Sequence, residues 1–152
     1  MAGWTNRCKY LVMNYYFRRQ GTLPTNFYVA LVTSAVAPGP DTNVLGDLTE
    51  IAAGNGYSAG GYQLTPNTTD FDTLTEDDAN DLVALLVKNV SWMPSGGSIP
   101  ASGNGARYAV LTTDEGTVSA RQVLLAWSLT SDRTVQVGIP LTLVDLQANV
   151  EE

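Results

Sequence analysis

The sequence predicts a mainly β domain, a β-sandwich of about six or seven strands carrying one N-terminal α-helix. Three observations lead there. Short apolar or β-branched runs are separated by clusters of Gly, Pro, Asn and Ser, with 14 glycines and 7 prolines in 152 residues. A helical apolar repeat occurs once, at the start of the chain. A glycine-rich stretch, Leu48 to Leu64, has a strand signal at each end and no helix of its own. The length fits one domain over 1–152, divided into a helical unit at 1–21, the β-sandwich at 26–146 and an acidic tail at 147–152.

Trp4, Cys8, Leu11 and Tyr15 recur at i, i+4, i+7 and i+11, with Val12 and Tyr16 beside them, and this spacing predicts a helix over about 5–19. Thr5 or Asn6 is placed to cap its start. Arg18 and Arg19 sit where the helix dipole favours cations, and Gly21 with Pro24 stops it. Two roles are open for this helix, a lid on the domain's own core or a docking element for a partner. Phe27 to Ser34 is apolar on both faces and reads as a central strand. Ala35 to Asp47 connects it to the glycine-rich loop, which closes with a short strand at Gly61 to Leu64.

The acidic segment Asn67 to Asp81 is expected to be solvated, with Thr75 and Asp78 spaced like a capping box for a helical turn at 75–80. Leu82 to Trp92 reads as one strand, bulged. Pro94 to Gly105 is expected to be a flexible surface loop before a strand at Arg107 to Thr113. Gln122 to Leu129 and Thr134 to Val137 read as two strands around a tight turn at Ser131 to Arg133. A last strand runs from Leu141 to Leu146, followed by a frayed tail.

Within the glycine-rich loop, Gly56 and Gly60 are expected to require positive φ, and Tyr57 and Tyr62 to anchor the loop by packing. Tyr62 leads into a strand and is expected to be the more buried of the two. Charge marks the other candidate interaction residues. Residues 1–40 hold Arg7, Lys9, Arg18 and Arg19 and no acid, a charge of +4, whereas residues 41–152 hold four bases and all 15 acids, a charge of −11. The two parts are suited to attract one another or an oppositely charged neighbour.

The net charge of −7 argues against a nucleic-acid partner, and no segment reaches the roughly 18–20 apolar residues of a membrane span. Residues 1–20 lack the apolar core of a signal peptide, so the chain is expected to fold in a cytoplasm. With no histidine and a single cysteine, Cys8, the usual metal and triad chemistries lose their commonest groups, and no cofactor, metal site or catalytic residue is expected. Gly54, Gly56 and Gly60 miss the spacing of a dinucleotide fingerprint, and the acids from Asp70 to Asp81 lack the offsets of a calcium loop. No carboxylate pair is singled out for glycoside hydrolysis. Asn67-Thr68-Thr69 and Asn89-Val90-Ser91 match the glycosylation pattern and are read as chance matches.

The segments FYVALVTS, LGDLTEIAAGNGYSAGGYQL, the W-x-x-S-G-G motif from Trp92 and ARYAVLTTD, with Trp127 in LLAWSL and with Gly138, Leu141 and Leu143, resemble small virion proteins of tailed bacteriophages. The resemblance spans roughly residues 26–146 and carries no catalytic residue. It implies a homo-oligomeric structural protein of the virion, assembled in the host cytoplasm. A capsid decoration or cement protein bound to the major capsid protein is the leading expectation. A tail-fibre, baseplate or other tail component is the second. From another class, a carbohydrate- or receptor-binding module would use Trp4, Trp92 and Trp127 as stacking platforms.

Overall fold

Ten strands, one α-helix and two short 3-10 turns account for the regular structure of residues 2–151, the residues described by this computed structural model. In chain order they are β1 (Ala2–Trp4), α1 (Asn6–Arg18), β2 (Phe27–Val32), β3 (Tyr62–Leu64), β4 (Thr73–Asp77), β5 (Leu82–Val87), β6 (Val90–Trp92), β7 (Ala106–Thr112), β8 (Val123–Arg133), β9 (Leu141–Leu143) and β10 (Leu146–Glu151). They form a five-stranded sheet in the order β1-β8-β7-β2-β3, a three-stranded sheet β10-β5-β4 and a two-stranded ribbon β6-β9. Every pairing is antiparallel. The fold is therefore mainly β with one N-terminal helix.

The all-apolar β2 shows how the layers are held. Its side chains alternate between two apolar clusters, Val29 and Leu31 in one and Ala30 and Val32 in the other, and all four are fully buried. In the larger cluster, Leu31, Leu111, Leu125 and Trp127 of the five-stranded sheet meet Val87 and Val90 from the smaller sheets. The smaller cluster lies on the other face of the large sheet. There the 3-10 turn Leu45–Asp47 and Leu48 cover Val32, Val110 and Val123.

α1 is positioned by its cap. The buried Thr5 accepts the Cys8 amide at 3.0 Å and donates its hydroxyl to the Val123 carbonyl at 2.6 Å, joining the helix start to β8. Arg19 ends the helix with φ of +53°.

Several expected elements differ. The residues expected in a helical turn at 75–80 form β4 and its turn, because β5 offers its backbone to Thr73 through Asp77 in register. The expected single strand at 82–92 breaks at Lys88 and Asn89, its two parts pairing in different sheets. The expected turn at Ser131 to Arg133 lies within the eleven-residue β8. Pro94 to Gly105 is pinned, with Ile99 fully buried and exchanging backbone hydrogen bonds with Val135 at 3.0 and 2.9 Å.

The expected frayed acidic tail at 147–152 is instead β10 as far as Glu151, with Leu146 and Ala148 buried; Glu152 lies outside the described residues. The helical unit expected at 1–21 begins with a strand, β1, that edges the large sheet.

Candidate interaction surface

The glycine-rich loop is a packed structural plug. Tyr57, only 2% exposed, donates its hydroxyl to Glu50 Oε1 at 2.7 Å and accepts the Leu31 amide at 3.0 Å. Burial first, and then the neighbouring Glu50 carboxylate, push its phenol well above the ordinary tyrosine range. Glu50 also accepts the Gly60 amide at 2.6 Å, and the Gly60 carbonyl accepts Arg121 Nη1 at 3.1 Å. Gly56 and Gly60 both hold positive φ, at 106° and 85°. A Cβ on Gly56 would lie 2.4 Å from the Met93 carbonyl oxygen, so only glycine fits against the backbone that leaves β6 at Met93.

The expected order of the two tyrosines is reversed, since Tyr62 is half-buried at the edge strand. Its ring meets Trp92 edge-on at 6.2 Å and lies under Lys88 at 5.4 Å. Gly56, Tyr57 and Gly60 are thus engaged with the chain's own backbone and side chains.

The helix presents a different surface. Cys8 and Leu11 face the core with Trp4 and Tyr15 beside them, following the expected stripe. Burial pushes the Cys8 thiol up to about 12, so it behaves as a small apolar side chain. Val12 and Tyr16, expected on the core face, are exposed instead, together with Tyr10, Met13 and Phe17. At 100° per residue these five positions span the side opposite the buried stripe, with Lys9 and Asn6 interleaved among them.

Phe17 is the most exposed of them at 74%, and its ring meets Tyr16 edge-on at 5.2 Å. The apolar stripe drew attention to one side of the helix only. The signal for the other side was that too few polar residues remained to cover it.

Between α1 and the sheets an apolar hollow of about 290 Å³ is lined by Leu11, Phe27, Phe71 and Leu85, and also by the exposed Val12 and Leu23. The hollow is therefore continuous with the outer face of the helix.

Arg7 is spent locally, donating from Nε to Gln122 Oε1. Lys9, Arg18 and Arg19 are exposed, and Arg19 lies over the ring of Tyr16 at 5.6 Å. Among the described residues a single ion pair occurs, Lys88 Nζ to Asp70 Oδ1 at 2.6 Å. Among the described residues the helix cations thus meet no carboxylate at pairing distance.

Trp92 and Trp127 are 5% and 6% exposed, and Trp127 donates its indole N–H to the Gln147 carbonyl at 2.8 Å, so both serve the core rather than a stacking platform. No group of three or more metal-ligating acids or cysteines gathers among the described residues, and no helix there is long and apolar enough to cross a membrane. Comparison with protein-family models, with curated proteins and with solved structures finds no match.

Proposed function

We propose that the protein is a structural subunit of a tailed-bacteriophage virion, a decoration protein that binds and stabilises the head lattice. The outer face of α1 carries this reading. Tyr10, Met13, Tyr16 and Phe17, flanked by Lys9, Arg18 and Arg19, have the composition of interface cores, where aromatic side chains, Met and Arg are enriched. A free monomer gains nothing from wetting such a face, whereas a lattice subunit buries it against a neighbour. The resemblance of residues 26–146 to small virion proteins supports the same conclusion, with the major capsid protein as the lattice partner.

Co-sedimentation with undecorated heads and, separately, with isolated tails tests this reading. Binding to heads at hundreds of copies per particle is expected for a lattice subunit, and a handful of copies on tails alone would make it a tail component. Absence of binding to either particle would overturn the virion reading. Retention between about 0.1 and 1 M salt, where the Debye length falls from about 10 to about 3 Å, reports the charged part of the contact. The Lys9, Arg18 and Arg19→Gln variant leaves Arg7 on Gln122 and should be retained less at low salt than wild type.

A further inference from the structure

We infer that the outer face of α1 is covered by a second copy of this chain, which lays the acidic end of its β4–β5 hairpin against Phe17, Arg18 and Arg19. The inference rests on the reading of that face as an assembly surface and names its occupant.

Charge complementarity selects the second copy. Residues 66–87 contain no base, and five carboxylates lie between Asp72 and Asp81. Four of them, Glu76, Asp77, Asp78 and Asp81, line a hollow of about 260 Å³ whose remaining walls are Leu82, Val83 and Val150. An acidic, partly apolar hollow suits a cation-flanked aromatic ring, and Phe17 beside Arg18 and Arg19 supplies one.

β4 is an edge strand with Leu74 72% exposed, so the hairpin offers the incoming helix an exposed apolar side chain as well. Among the described residues no ion pair joins these opposite charges, and Glu76, Asp78, Arg18 and Arg19 are exposed. The contact joins two different patches. A pair closes if a two-fold axis lets each helix meet the other hairpin, and otherwise the contact propagates from copy to copy.

Analytical ultracentrifugation of the full chain, without virions, tests the inference with a reciprocal charge reversal. The Arg18→Glu/Arg19→Glu variant and the Glu76→Lys/Asp78→Lys/Asp81→Lys variant change exposed side chains, the second leaving Asp77 as the one acid of the four in the hollow, and circular dichroism checks that each remains folded. Wild type should self-associate at low salt and dissociate as salt rises. Each reversed variant alone should be monomeric, and their equimolar mixture should associate again, because helix and hairpin then carry opposite signs in both contacts. Phe17→Ser should weaken association by about tenfold or more.

A strictly monomeric wild type, a mixture that stays monomeric, or full association of Phe17→Ser would each overturn the inference. Head binding by a protein that stays monomeric in solution would assign the face to the capsid protein and leave the virion reading intact. Self-association with rescue but no particle binding would keep the inference and remove the virion reading.

Discussion

Tyr57 joins three segments through one hydroxyl and one ring: Glu50 before the loop turns, Leu31 in β2, and Trp92 in β6, whose ring lies 5.8 Å away. Removing the ring opens a cavity in the core, and Tyr57→Ala is expected to cost about 3–5 kcal/mol. Tyr57→Phe keeps the packing but strips the buried Leu31 amide of its acceptor, at about 1–3 kcal/mol. Tyr62→Ala should cost less than Tyr57→Ala, since Tyr62 retains a solvated side. Urea denaturation of the three variants checks the order, and a larger loss for Tyr62→Ala than for Tyr57→Ala would place the loop's anchor wrongly.

At the scale of elements, β10 decides how the smaller sheet is built. It pairs with β5 from Leu146 against Val87 to Glu151 against Leu82, placing β5 between two neighbours while β4 takes the other edge. Buried Leu146 and Ala148 alternate with the exposed Gln147, the period-2 pattern of a half-buried strand. Amide exchange should therefore show protection at the alternate β10 amides that pair with β5, and exchange at free-coil rates at every amide from Leu146 onward would contradict the pairing. Acids at 151 and 152 made this segment look like a tail, but its backbone partner lies some sixty residues earlier.

For the whole molecule, the response to acid follows from Asp70. The Lys88 ammonium that hydrogen-bonds it, and next the Thr65 amide, hold its carboxyl below the usual range. A carboxylate with a depressed folded pKa contributes stability that is present above its unfolded value, about 3.9, and lost as pH falls through the folded value. Asp70→Asn should accordingly be less stable than wild type at neutral pH, with the gap closing below about pH 4. Thermal melts across that range measure it. A gap unchanged down to about pH 2 would show that the Asp70 charge contributes nothing.

The sequence by itself determined the features that depend on local periodicity and local chemistry. These are the mainly β class, the core-facing stripe of α1 at Cys8, Leu11 and Tyr15, the Thr5 cap, the two-sided burial of β2 and the positive φ of Gly56 and Gly60. The candidate residues divided along the same line. The basic charges of Lys9, Arg18 and Arg19 and the packing of Tyr57 were legible, but the exposure of Phe17 and Met13 and the deeper burial of Tyr57 than of Tyr62 were not, because each depends on which side of an element another layer covers. Only the tertiary structure decided that the polar TLTED segment is β4, that β8 runs through Ser131 to Arg133, and that 82–92 divides between two sheets. A strand draws its hydrogen bonds from a distant segment, so its identity and register are set by what lies beside it, whereas a helix closes its hydrogen bonds within its own sequence.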